Sequence, residues 1–318
     1  MARKDWSIST IRMLAMCSIM ACHLCQLYGL PAAWVLNIGV QVFLMISGWL
    51  YGLRPDFSDI RNWYAKRLIR ICIPYWVILT LTLILNALFA SRYISIREAI
   101  LCISCIKSGL VPNAAHLWYV SVMLLCYLLT PALSYLWRRK PWSIAPCCIA
   151  LLCFGNQLVS EGIWCVDYII GFILGRLVRE GVDEQYVLIF TVFVAGSGSL
   201  VLWVISLQTG ASVGTGLHLL GGPLLFSLFR LLLGSERYKP SSSLRSILRL
   251  NDSYSYEIYL AHQLLIIGDF SLALIFPSKP FLVIVLSIIW SLLAGITLHK
   301  MASPIQRFAT VLIGQREN

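Results

Sequence analysis

About ten stretches of predominantly apolar residues follow one another along this chain, each close to the roughly 17–25 residues that cross a bilayer as a helix. They fall at roughly 9–28, 36–53, 68–90, 114–136, 143–159, 163–179, 186–207, 213–233, 252–276 and 280–301. Lipid offers no hydrogen-bond partner to a bare peptide group, so such stretches must close their bonds internally as helices. The expected fold is therefore all-α, a polytopic membrane protein of about ten transmembrane helices. Composition agrees, with 59% hydrophobic and 12% charged residues and a mean hydropathy of +0.80. Within 318 residues no polar-rich stretch is long enough for a soluble catalytic domain, so residues 1–318 read as a single integral membrane domain. The first stretch is too long for a secretory leader and lacks a small-residue cleavage site.

The net charge of +11 is the positive bias of cytoplasmic loops rather than a nucleic-acid surface, since no soluble basic face is present. With the amino terminus inside, Arg54, Arg61, Lys66, Arg67, Arg70, the Arg138–Lys140 run, Arg176, Arg179 and a later basic group from Arg230 to Arg316 are cytoplasmic. Only Arg92, Arg97, Lys107 and Lys279 lie outside, an asymmetry of about four to one that places both termini in the cytoplasm. The segment Ser91 to Asn113 is then an outer loop, long enough for an amphipathic helix on the membrane surface beginning near Ser95.

Against that apolar background the ionisable residues stand out, because each is costly in lipid and is a functional-site candidate. Arg12 and His23 lie in the first stretch, eleven residues apart. That is about three helical turns, so both leave the same helix face about 16 Å apart. Two readings fit: a snorkelling Arg with a structural His, or a polar path ending on a neutral imidazole able to accept a proton. Arg67 and Arg70 share a face at the start of the third stretch, suited to anionic lipid headgroups or to bidentate phosphate recognition. Pro74 follows and opens space in that helix. His116-Leu117-Trp118-Tyr119 opens the fourth stretch, either as an interfacial belt or as a cavity lining. In the ninth, Ser255, His262 and Asp269 recur at seven residues and so fall near one stripe. With Tyr259 they read as the lining of a polar cavity, or as packing contacts to a neighbouring helix. Glu257 points elsewhere, toward an inner-loop Arg, while His218 and His299 read as structural.

Eleven cysteines include two C-x-x-C pairs, Cys22/Cys25 and Cys102/Cys105. The first lies in an apolar helix, where Cys behaves as a small hydrophobe. Cys102 and Cys105 matter only if exposed to an oxidising compartment, and no metal site is expected. Phosphate-cradling Gly loops, G-x-S-x-G and H-E-x-x-H are all absent.

Taken in order, these groups resemble the acyltransferase-3 family of integral membrane acyltransferases over nearly the whole chain. The resemblance rests on five pieces in register. They are Arg12 with His23, the Val42–Gly48 run ending in Ser-Gly, Arg67 with Arg70 and Pro74, His116 to Tyr119, and Tyr259 to His262. The chain departs from the family at Ser9, where an Asp is usual (Asp5 lies further back), and at Gln41, where an acid is usual. The resemblance implies an O-acyltransferase of the cytoplasmic membrane that moves an acyl group, most often acetyl, from cytoplasmic acyl-CoA to a hydroxyl of a cell-envelope or exported saccharide, free or lipid-linked. On that reading Arg67 and Arg70 meet the coenzyme A phosphates, Arg12 sits near the same entrance, and His23 is the general base, with a nucleophilic role through an acyl-histidine as the alternative. His116, Trp118, Tyr119, Tyr259, His262 and Asp269 are candidates for the acceptor cavity. Acetyl-CoA, the saccharide and membrane lipids are the expected partners. A transporter of a saccharide or amphiphile would use similar buried polar residues, and a membrane sensor or assembly partner on the same scaffold is a further alternative.

Overall fold

The computed structural model describes residues 4–54, 57, 59–90, 93–234 and 238–313; Arg92, Arg237 and Arg316 of the charge pattern lie outside them. Every regular element among the described residues is helical. In chain order these are α1 (Trp6–Leu27), α2 (Ala32–Leu36), α3 (Gly39–Gly52), α4 (Ile60–Leu85), α5 (Ile96–Ile103), α6 (Trp118–Arg139), α7 (Ile144–Leu158), α8 (Cys165–Arg179), α9 (Glu184–Thr209), α10 (Gly214–Leu233), α11 (Ser242–Ala261), α12 (Leu272–Ile275) and α13 (Pro280–Leu312). Eight helices among the described residues, counting α2 with α3, are long and apolar enough to cross a membrane. They match eight of the expected stretches. The other two are the 15-residue α8, and α11, which begins earlier than expected and stops at Ala261. The protein is thus an all-α polytopic membrane protein.

The chain forms two compact units. The first comprises Met1–Ile19, Trp34–Pro55 and Trp164–Ser253. Its tightest pairing joins α3 to α8 through small residues on both faces. A Cβ on Gly48 would stand 2.8 Å from the Phe172 main-chain nitrogen, and one on Gly171 would stand 3.0 Å from that of Trp49. Gly52 and Gly175 repeat the contact one turn on. This is small-xxx-small packing from both helices at once, in which close backbone approach replaces the hydrophobic drive that lipid removes. Trp49 fills the space beside it and meets Phe226 at a ring separation of 5.5 Å. At one end of the unit Arg230, only 3% exposed, is paired by Asp5 and Glu184 at 2.6 Å each and by the Ser7 hydroxyl. Asp5 also caps α1, accepting from the Ser7 N–H at 3.1 Å.

The second unit comprises Met20–Ala33, Asp56–Ile163 and Tyr254–Asn318. Its spine is α4, capped by Asp59, whose carboxylate accepts from the Asn62 N–H at 2.9 Å. Pro74 lies inside α4 without ending it. A proline lacks the N–H that would bond the carbonyl four residues back, here that of Arg70. The Gln306 side-chain amide of α13 donates to that carbonyl instead, at 3.2 Å. Tyr256 donates to the next one, Ile71, at 2.9 Å.

α5 begins where expected, with a reciprocal capping box of Ser95 and Glu98. It packs against α4. Tyr75 donates to the Cys102 carbonyl at 2.7 Å and Trp76 to that of Ile103 at 3.0 Å. Asn113, where the segment returns, donates to the Asn86 side-chain oxygen at 2.7 Å. The segment therefore runs back along α4 for the distance between Tyr75 and Asn86, about 16 Å at the helical rise. Protein groups thus satisfy part of this irregular backbone.

Candidate functional site

The second unit brings three histidines from distant parts of the sequence into one cluster. His23 comes from the last turns of α1, His116 from the short turn before α6, and His262 from the turn that follows α11. The ring centroids of His23 and His262 are 5.0 Å apart, those of His116 and His262 4.9 Å, and those of His23 and His116 6.4 Å. His262 and His116 are buried, at 0% and 5% exposure, whereas His23 is half-buried.

The end of α11 explains why the two buried rings stay where they are. A helix leaves its last carbonyls without N–H partners, and α11 stops at Ala261. Two of those carbonyls are used by the imidazoles. His262 Nδ1 meets the Tyr259 carbonyl at 2.6 Å, and His116 Nε2 meets that of Leu260 at 3.0 Å. A carbonyl only accepts, so each of these nitrogens carries the proton and the opposite one holds a lone pair. Those opposite nitrogens, His116 Nδ1 and His262 Nε2, are buried and have no hydrogen-bond partner among the described residues. Further bonds fix the same turn. The Tyr259 hydroxyl donates to the His116 carbonyl at 2.6 Å, and the His116 N–H donates to Gln263 Oε1 at 3.1 Å. Tyr119 packs its ring 4.8 Å from that of Tyr259, and Trp118 stands next to Tyr119 at 6.3 Å. Of the expected residues, His116 and His262 stand beside His23, Tyr259 adjoins those two rings, Tyr119 packs on Tyr259, and Trp118 adjoins Tyr119.

Asp269 does not join them. The expected Ser255–His262–Asp269 stripe fails because the helix ends at Ala261, and the chain then turns through Gly268 at a φ of +97°. Asp269 instead meets Asn113, its carboxylate accepting from Nδ2 at 3.1 Å and its N–H donating to Oδ1 at 3.0 Å. Glu257 and His299 also correct the expectation. They pair with each other, Nδ1 to Oε1 at 3.0 Å, so the partner shown for Glu257 is a histidine and His299 has acidic company. Cys102 and Cys105 are buried rather than exposed. Among the described residues no three His, Cys, Asp or Glu side chains are placed to hold a metal ion.

The arginines divide. Arg67 is half-buried, with its guanidinium 5.9 Å from the ring centres of both Trp63 and Tyr127. It lines a cavity of about 380 Å³ with Tyr64, Tyr127, Ser104 and Ser121 on its wall. Arg70 is exposed, so the shared helix face does not give the two the same surroundings. In the first unit Arg12 bonds Asp252 at 2.8 Å, and Lys4 reaches the same carboxylate at 2.7 Å. The Ser9 hydroxyl donates to it as well, at 2.7 Å.

A family model described as an acyltransferase domain matches residues 5–300, nearly the whole chain. The chain belongs to the acyltransferase-3 family. It is accordingly an integral membrane acyltransferase. No curated protein and no solved structure matches it.

Sequence reasoning about this acyltransferase missed three side chains that hold the candidate residues. Asp252 supplies the carboxylate to Arg12 from 240 residues away. Only its position as an acid within a basic segment hinted at this. Gln263 holds the His116 main chain, and nothing in its neighbourhood marked it. Gln26 lies three residues after His23 and meets its Nδ1 at 2.7 Å; the i,i+3 spacing was the available signal.

Proposed function

We propose that this membrane acyltransferase is an O-acyltransferase that moves an acyl group, most simply acetyl, from cytoplasmic acyl-CoA to a hydroxyl of a cell-envelope or exported saccharide, with His23 as general base. The observation that carries the reading is the cluster itself. His23 is the half-buried member, and the two buried histidines beside it offer only lone pairs on their free nitrogens. Such a site accepts protons and hydrogen bonds from hydroxyls, and offers no charge to an anionic group.

In the reaction the acceptor oxygen attacks the thioester carbonyl while His23 takes its proton. The carbon–sulfur bond then breaks, and the imidazolium returns the proton to the leaving thiolate. Free coenzyme A and an ester result, with no net change in protonation. Arg67, backed by two aromatic rings at the edge of a cavity, would hold a donor phosphate, and Arg70 would add charge from the surface. The Lys and Arg bias supports a cytoplasmic face for both termini, which sets these arginines on the side where acyl-CoA is made.

The test compares envelope saccharides from a deletion strain with those of its complemented parent by mass spectrometry. An acetyl-sized mass present only in the parent, with labelled acetyl-CoA giving up coenzyme A in its membranes, is the expected result. Identical glycans together with saccharide movement lacking coenzyme A release would replace the reading with transport.

A further inference from the structure

We infer that Gln26 is a positioning residue for His23, holding the proton on Nδ1 so that Nε2 is the nitrogen presented as base. The inference rests on the acyl-transfer reading above. His23 and Gln26 stand at i and i+3 in the last turns of α1 and so share a helix face. His23 Nδ1 lies 2.7 Å from Gln26 Oε1. An amide oxygen only accepts, so Nδ1 is the donor. A neutral imidazole has one N–H, and the lone pair is therefore on Nε2.

The other two rings show why this contact matters. His116 and His262 have their N–H groups tied to main-chain carbonyls of α11, so their tautomers are set by backbone geometry. The tautomer of His23 is set by a side chain, and one substitution removes it. Without Gln26 the proton is free to occupy either nitrogen, and each molecule with the proton on Nε2 has no base facing the acceptor. During the reaction Nε2 gains the acceptor proton and passes it to the thiolate, while Nδ1 keeps its own throughout. Gln26 accepts from Nδ1–H in both states, and its bond strengthens when the ring is charged. A carboxylate at this position would orient the ring in the same way and would favour the imidazolium.

The experiment measures transfer of label from acetyl-CoA to acceptor in membranes carrying wild type, Gln26→Leu, Gln26→Asn, Gln26→Glu or His23→Ala, over the pH range that supports activity. Gln26→Leu should lower kcat by roughly 10-fold or more, because a wrong tautomer removes much of what a positioned base contributes, with donor KM unchanged. Gln26→Asn, whose shorter amide falls short of Nδ1, should resemble Gln26→Leu. Gln26→Glu should recover most of kcat and move the acidic limb of the kcat/KM profile to higher pH by about one unit. Wild-type kcat and pH profile in both Gln26→Leu and Gln26→Glu, in membranes where His23→Ala is inactive, would overturn the role of Gln26 and leave the base assignment standing. An active His23→Ala enzyme would remove both. If Gln26→Leu fails to insert, the pH profile of Gln26→Glu decides: an unshifted acidic limb overturns the inference.

Discussion

Arg12, Arg67 and Arg70 are three cations of one membrane protein with three different surroundings. Arg12 has a carboxylate at 2.8 Å. Arg67 lies against two aromatic rings and beside a cavity, while Arg70 is exposed, its carbonyl engaged by Gln306. A desolvated guanidinium contributes more to an ionic contact than one in water. Arg67→Ala is therefore expected to raise the apparent KM for the acyl-CoA donor by about 10-fold, roughly one lost charge-assisted contact. Arg70→Ala should raise it by about 2-fold or less, a surface contribution. Donor titrations in membranes check this, and equal, unchanged KM values would leave both as lipid contacts. At this scale the sequence showed which residues were unusual, because Arg12 and His23 stand in an apolar stretch where ionisable groups are rare. It did not show their company. Asp252 lies 240 residues from Arg12, and no local periodicity reports such a pairing. His116 was open between a belt and a cavity on spacing alone. Its burial depends on the end of α11, a segment more than a hundred residues later.

Helix ends and helix crossings decide where those side chains meet. The start of α5 was readable from Ser95 and Glu98, because a capping box is a local exchange of hydrogen bonds. The end of α11 was not, since residues 252–276 stay apolar past Ala261, and while His262 takes the nearby Tyr259 carbonyl, that of Leu260 goes to His116, 144 residues away. The same limit concealed the path of α5 along α4, whose partners are main-chain oxygens. The α3–α8 crossing was partly visible: Ser47-Gly48 belongs to the family resemblance, but Gly52 and the Gly171/Gly175 pair show their purpose only when the helices touch. Gly48→Val and Gly171→Val should each destabilise the fold by about 1–3 kcal/mol or more, because the added atoms meet backbone that cannot move aside. Gly196→Ala in α9 should be neutral by comparison, its nearest neighbour being a Leu methyl 3.8 Å away. Heating detergent extracts and following the surviving monodisperse protein measures the difference. Equal survival of all three variants would show that the crossing has slack.

For the whole molecule, hydropathy determined most of the architecture, since lipid permits few ways to satisfy a backbone. Eight of the expected stretches are helices long enough to span, and the family match runs almost from end to end. What hydropathy could not supply is the convergence in the second unit, where the last turns of α1, the turn before α6 and the turn after α11 each supply a histidine. That convergence turns separate residues into a site with one half-buried imidazole and two buried acceptors. The most direct measurement of the acyl-transfer account is a single-turnover assay with radiolabelled acetyl-CoA in membranes containing equal amounts of inserted wild-type and His23→Ala protein. The account predicts a transfer rate lower by about 10²–10⁴-fold for His23→Ala, with donor binding retained. Transfer by His23→Ala at the wild-type rate would contradict it.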